Sequence, residues 1–155
     1  MIHNKELVNR LIEKGYKISA AESCTGGMFA SKIVEVADAS KVFDMSFVTY
    51  ANEAKIKLVN VKEETINKFG VVSEEVAIQM AKGVKEVSGA DIGVGISGIA
   101  GPRGGTPEKP VGMVCFGIAI GNKTISMTKQ FGDLGRNIVR EKATEYIIEL
   151  LLMLI

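Results

Sequence analysis

Residues 16–37 read YKISAAESCTGGMFASKIVEVA, and how this stretch divides decides the fold. Its first part, YKISA, places a short strand over 17–21, and its last part, MFASKIVEVA, continues a helix running from about Gly26 to Val36. Between them lies AAESCTGG (20–27), which sets a carboxylate, a hydroxyl, a thiol, a second hydroxyl and two glycines side by side. A strand that passes into a helix through a polar, glycine-ended turn is a joint of α/β architecture. The same turn is either a Ser/Thr helix cap, worth on the order of 1 kcal/mol, or a nucleophile mounted at a helix N-terminus.

The flanking sequence repeats this alternation. NKELVNRLIEK (4–14) carries Leu7, Leu11 and Ile12 at helical spacing and stops at Gly15. VFDMSFVTY (42–50) alternates and ends in β-branched and aromatic residues, which predicts a strand. NEAKIKLV predicts a short helix with Asn52 as its N-cap, and KEETINKF a second one ending at Gly70. Ser73-Glu74-Glu75 opens a longer helix to about Val87, with the first-turn acids where the helix dipole favours them. ADIGVGIS is a buried strand. Two more strands, 111–120 and 123–131, meet at the Gly121-Asn122 hairpin turn, and a helix runs from about 134 to the end. The pattern predicts one domain over 1–155, a three-layer α/β/α sandwich with a mixed, mostly parallel sheet.

Composition narrows the function. The chain is 155 residues long, 46% hydrophobic and 24% charged, with a net charge of +1, which fits a folded domain and supplies no electrostatic footprint for nucleic acid or anionic membrane. The start lacks a signal-peptide core, and the apolar YIIELLLMLI (146–155) is too short to cross a bilayer, so a cytoplasmic protein is expected, with that helix facing the core or an interface. Cys24 and Cys115 can form one bridge at most. His3, the single histidine, lies near the terminus, which argues against a zinc site and against a Ser-His-Asp or Cys-His triad. A nucleophilic serine here must give its proton to lysine or tyrosine.

Three polar runs fall at carboxyl ends of the expected strands, where α/β sheets hold ligands: 22–27, 50–55 and 97–110. In the first, the N–H groups of Thr25, Gly26 and Gly27 are placed to hold an anion or to stabilise an oxyanion if Ser23 attacks a carbonyl. Cys24 is the rival nucleophile or a small buried side chain. In the second, Tyr50 and Lys55 flank one strand end. A desolvated lysine can act as a base, and Tyr50 can relay the proton or orient the amine, whereas Lys57 points elsewhere. In the third, the loop 98–110 is dense in glycine and holds all three prolines, so its backbone N–H groups can approach phosphate or carboxylate. It lacks the Gly-Lys-Ser/Thr ending of a P-loop. Gly93-x-Gly95-x-x-Gly98 matches the dinucleotide fingerprint, but its first glycines lie inside a strand and no helix follows.

AAESCTGG, FVTYANEAKIKLV (47–59), GVGISGIAGPRGGTPEKPVGMV (93–114) and FGDLGRNIVREKATEYIIELL (131–151) together resemble the C-terminal domain of the CinA competence/damage-inducible proteins, a family that includes nicotinamide-mononucleotide amidohydrolases. The resemblance covers essentially the whole chain. It implies hydrolysis of the carboxamide of nicotinamide mononucleotide to nicotinate mononucleotide and ammonia, without cofactor or metal. Ser23 is then the nucleophile, with Tyr50 and Lys55 in proton transfer. The substrate-binding set would comprise Thr25, Gly26 and Gly27 at the nucleophile turn, and Asn52 after the second strand. Ser97, Gly98, Gly101, Gly105 and Thr106 would join from the glycine-rich loop, with Arg136 and Arg140 from the last helix. The family motif there reads roughly Gly-Asp-Arg, where this chain has Asp133-Leu134-Gly135-Arg136 and Arg140 a turn later. The resemblance also implies a stand-alone form without the molybdopterin-binding-like domain of larger CinA proteins, and a homo-oligomer, at least a dimer. The competing function is a nucleotide-binding or regulatory domain without turnover. A structural oligomerisation module is the third reading.

Overall fold

A computed structural model describes residues 2–155. The chain runs α1 (Ile2–Lys14), β1 (Ile18–Glu22), α2 (Met28–Val34), a 3-10 turn (Ala39–Lys41) and β2 (Phe47–Val48), then α3 (Asn52–Val59), α4 (Glu63–Phe69) and α5 (Glu74–Ser88). It continues through β3 (Ile92–Gly98), β4 (Met113–Ile120), β5 (Lys123–Gln130) and α6 (Arg136–Leu154). One mixed sheet holds all five strands in the order β2-β1-β3-β4-β5. β1 pairs parallel with β2 and β3, and β4 pairs antiparallel with β3 and β5. Only β4 therefore runs against the other four. Among the described residues, no helix is long and apolar enough to cross a membrane.

The period-2 pattern of the strands sorts the core into two layers. Ile18, Ala20, Ile92, Val94, Ile96, Phe116 and Ile118 pack with α1, α2 and α6 through Leu7, Leu11, Phe29, Ile33, Val139 and Ile147. On the opposite face, Ala21 packs with Val59, Val76, Met80 and Val84 of α3 and α5. Of the terminal apolar stripe, Ile147, Leu150 and Leu151 are buried within this chain, and Leu152 is half-buried.

The α5 face has almost no room for side chains. A Cβ on Gly93 would lie 2.1 Å from the Ala81 carbonyl oxygen, one on Gly95 2.2 Å from that of Ala77, and one on Gly117 2.3 Å from the same Ala77 oxygen. Gly93 and Gly95 of the fingerprint-like run thus bring helix and sheet together, while its Gly98 packs against Val114 of β4.

Three boundaries differ from the sequence expectation. The strand expected over 42–50 shrinks to Phe47–Val48. Residues 42–46 follow β1 on irregular contacts instead: Ile18 N–H donates to Val42 O at 2.8 Å, Ser19 Oγ to Met45 O at 2.6 Å, and Lys17 Nζ to Asp44. Such a short edge leaves little free ladder for unwanted pairing. α2 begins at Met28, because Gly26 and Gly27 take φ of +56° and +100°. α3 is preceded by Ala51, so Asn52 is its first residue and not its cap.

Gly95→Ala is expected to lower the unfolding free energy by about 1–3 kcal/mol, because the added methyl meets α5 backbone that cannot step aside. Urea unfolding monitored by circular dichroism measures this; an unchanged midpoint would contradict the packing described.

Candidate active site

The parallel register puts Glu22 beside Val48 on one side and beside Ile96 on the other, so β1, β2 and β3 end at one edge of the sheet. The three polar runs begin there. A cavity of about 390 Å³ opens at this edge between the Ser23 turn, the start of α3, the 70–72 turn and the glycine-rich loop.

At its floor lies Ser23, whose Oγ accepts a hydrogen bond from Lys55 Nζ at 3.0 Å. α3 carries Lys55 on its inner side, and only 1% of the residue is exposed. Its Nζ also donates to Thr49 O at 2.7 Å and Tyr50 O at 3.2 Å. Burial holds the lysine's pKa down to about 8 from its ordinary 10.5, so the neutral amine is reachable near physiological pH. The geometry then fixes what that amine does. With two N–H bonds on the two carbonyls, the nitrogen lone pair faces Ser23 Oγ and can receive its proton.

Cys24 lines the same cavity, but burial pushes its thiol up to about 12. It stays protonated and is a poor nucleophile. Of the two candidate nucleophiles, Ser23 is the one whose side chain touches the Lys55 amine.

Tyr50 divides its roles. Its main-chain carbonyl orients Lys55, while its hydroxyl accepts from Arg136 Nη2 at 2.8 Å; the residue is 60% exposed and its hydroxyl makes no hydrogen bond to Lys55. Arg136 also donates from Nη1 to Gly101 O at 2.7 Å, joining α6, the glycine-rich loop and the β2–α3 connection across the cavity mouth. Asn52, Ser97, Gly98, Gly101 and Thr106 line the cavity as expected. The Ser97 hydroxyl is committed to Val71 O at 2.8 Å, and the Thr106 hydroxyl accepts from Lys109 N–H at 3.0 Å.

Five of the expected binding residues lie outside the lining: Thr25, Gly26, Gly27, Gly105 and Arg140. The first three were expected to present N–H groups to an anion, but their turn lies outside the cavity lining and is held to α2 by Glu22. This fully buried carboxylate accepts from Thr25 Oγ1 at 2.6 Å, Phe29 N–H at 2.9 Å and Ala30 N–H at 3.1 Å, at the first turn of α2. Gly26 N–H is meanwhile held by Ser23 O. Gly105 is packed against the chain at Val111, where a Cβ would come within 2.7 Å of its nitrogen. Arg140 reaches the nucleophile turn from behind, at Cys24 O and Thr25 O.

The profile of the CinA C-terminal domain matches residues 2–155. The chain belongs to the CinA C-terminal domain family. It is 52% identical over 143 residues to a CinA-like protein of Kosmotoga olearia, a match covering 92% of this chain and 34% of that protein. A CinA-like protein of Fusobacterium nucleatum is 49% identical over 144 residues, covering 92% and 34%. The chain thus spans about a third of the length of these curated relatives. Among solved structures, the competence/damage inducible protein CihA from Agrobacterium tumefaciens is 40% identical with a TM-score of 0.92, covering 98% of this chain and 95% of that one. A competence-damaged protein (CinA) superfamily protein from Escherichia coli is 33% identical with a TM-score of 0.95, covering 99% and 88%.

Within this CinA domain, sequence reasoning passed over four contributors. Arg103 and Lys109 line the cavity and are the only cations of the glycine-rich loop, a signal that was there to be read. With Arg136 they make three cationic lining residues besides the buried Lys55 amine, and no carboxylate, so the cavity suits an anionic ligand. Thr49 acts through its carbonyl, which no side-chain motif announces. Glu22 could have been suspected as an acid ending a buried strand next to the serine.

Because its thiol is held up at about 12, Cys24 in the native CinA domain is expected to resist iodoacetamide at pH 8 and to react fully once denaturant is added. Mass spectrometry of the alkylated protein reads this, and fast native labelling at Cys24 would contradict the environment described.

Proposed function

We propose that this chain hydrolyses the carboxamide of nicotinamide mononucleotide, giving nicotinate mononucleotide and ammonia, through an acyl-enzyme on Ser23. The observation that carries the reading is the contact of Lys55 Nζ with Ser23 Oγ at 3.0 Å, with two carbonyls holding the other lysine hydrogens. The resemblance of the four motifs to the family's amidohydrolases supplies the substrate. The cationic, carboxylate-free cavity lining agrees with a ligand bearing phosphate.

The steps follow from the geometry. Neutral Lys55 takes the proton of Ser23 Oγ as the oxygen attacks the carboxamide carbon. The tetrahedral intermediate collapses as the Lys55 ammonium passes that proton to the departing nitrogen, which leaves as ammonia. A nicotinoyl ester on Ser23 remains. Water then attacks the ester carbon, Lys55 accepts the water's proton, and the proton returns to Ser23 Oγ as the acid product leaves. Arg136, Arg103 and Lys109 stand at the rim, where the phosphate of a mononucleotide would lie. Nothing in the scheme calls for a metal, and the lining offers neither carboxylate nor imidazole to hold one.

The test is ammonia release from nicotinamide mononucleotide with a chelator present. Wild type is expected to turn over. Ser23→Ala should lose about 10³-fold or more in kcat, and Lys55→Met about 10²- to 10⁴-fold. Since the base works only when deprotonated, kcat/KM should rise with pH and level off above about 8. A nucleotide that raises the melting temperature with no ammonia released would favour the regulatory reading instead. Full activity in Ser23→Ala would end the proposed mechanism.

A further inference from the structure

Two arginines one helical turn apart on α6, Arg136 and Arg140, read alike in sequence, yet they serve different surfaces. Arg136 lines the cavity. Arg140 does not; it lies behind the nucleophile turn, with Nε donating to Cys24 O at 2.9 Å and Nη2 to Thr25 O at 3.1 Å. Its third nitrogen, Nη1, is steadied by Asn137 Oδ1 at 3.0 Å. The fit is close: a Cβ on Gly26 would stand 3.3 Å from Arg140 Nη2, so the glycine clears the guanidinium as well as turning the chain at positive φ.

The other side of the turn belongs to Glu22. Its carboxylate gathers the Thr25 hydroxyl and the first free N–H groups of α2, while Arg140 gathers the carbonyls just before them. Other main-chain groups of the turn are tied to their neighbours. Glu22 O accepts from Thr49 N–H at 2.7 Å, Ser23 N–H donates to Ile96 O at 3.0 Å, and Ser23 O accepts from Gly26 N–H at 3.1 Å. Each carbonyl from Glu22 to Thr25 therefore has a donor: Cys24 O depends on Arg140 alone, and Thr25 O shares Arg140 with the Met28 N–H at 3.0 Å. Charge-assisted bonds of this kind are the strong ones, and here they are spent on geometry.

We infer that Arg140, together with the buried Glu22, is a positioning residue that presets the Ser23 turn against Lys55, and is not a ligand for substrate. The inference rests on the deamidase reading of the Ser23 cavity. Ser23 must present Oγ to Lys55 and to an incoming carbonyl at once, and small misplacements of reacting atoms cost rate far more than they cost binding.

The experiment is steady-state kinetics on nicotinamide mononucleotide for Arg140→Ala and Arg140→Lys, with melting temperatures alongside. Arg140→Ala is expected to lower kcat on the order of 10- to 100-fold and to leave KM within about twofold. Arg140→Lys, which can reach one carbonyl, should recover part of kcat. A raised KM at unchanged kcat would make Arg140 a substrate ligand, and wild-type kcat in the alanine variant would make the contact idle; either overturns the inference. If Arg140→Ala does not fold, Arg140→Lys alone decides by the same split of kcat against KM. A wild type that releases no ammonia would instead sink the deamidase reading. The rate at which a fluorophosphonate labels Ser23 then judges the clamp: slower labelling in the variant at equal melting temperature supports it. Equal rates, or no labelling of wild type, overturn it.

Discussion

A lysine amine buried to 1% exposure among two main-chain carbonyls and one serine hydroxyl is the constraint from which the site follows. An ammonium in that place would lose its hydration, so burial moves the equilibrium toward the free amine. The carbonyls of Thr49 and Tyr50 then act as a template. They claim two hydrogens, and what is left of the nitrogen is directed at Ser23. The two carbonyls fix the direction of the amine and burial lowers its pKa, so in the proposed reaction a lysine can take the place of an imidazole.

That arrangement depends on the sheet ending where it does. Ser23 follows β1, the 49–50 carbonyls follow β2, and the glycine-rich loop leaves β3, three parallel strands in register at one edge. Their closeness to α5 comes from Gly93, Gly95 and Gly117, whose missing side chains let helix backbone rest on strand backbone. A residue pattern that looked like a cofactor fingerprint is thus part of the packing that sets the floor of the cavity. The turn bearing the nucleophile is fixed from below by Glu22 and from behind by Arg140, so the order of the site reaches well beyond the atoms that face the ligand.

Much of this could be read from residues alone. The alternation of helix and strand periods gave the layered architecture, and the scarcity of histidine forced attention onto lysine, which the structure brings to Ser23. What escaped had physical causes. The 42–50 segment has the alternation of a strand, but residues 42–46 are held by the Ile18 N–H, the Ser19 hydroxyl and the Lys17 amine instead of a regular ladder, which pattern cannot foresee. The 25–27 turn read as an anion cradle, but it lies outside the cavity lining and its Gly26 N–H closes on Ser23 O, a placement that local sequence does not reveal. Tyr50 matched a proton-transfer role by motif, while its contribution to Lys55 comes from its carbonyl, a group every residue carries. Arg136 and Arg140 could not be told apart without knowing which way α6 lies over the turn.

Direct titration of the Lys55 amine is the measurement closest to the central claim. With lysine isotopically labelled at Nζ and Cε, and Lys55→Met used to assign the resonance, the chemical shift is followed against pH in the wild-type protein. A midpoint near 8, well apart from the other lysines, is what the buried, carbonyl-bound amine predicts. A midpoint at the ordinary lysine value of about 10.4 would mean that Lys55 stays charged where the reaction must run, and would contradict its role as the base for Ser23.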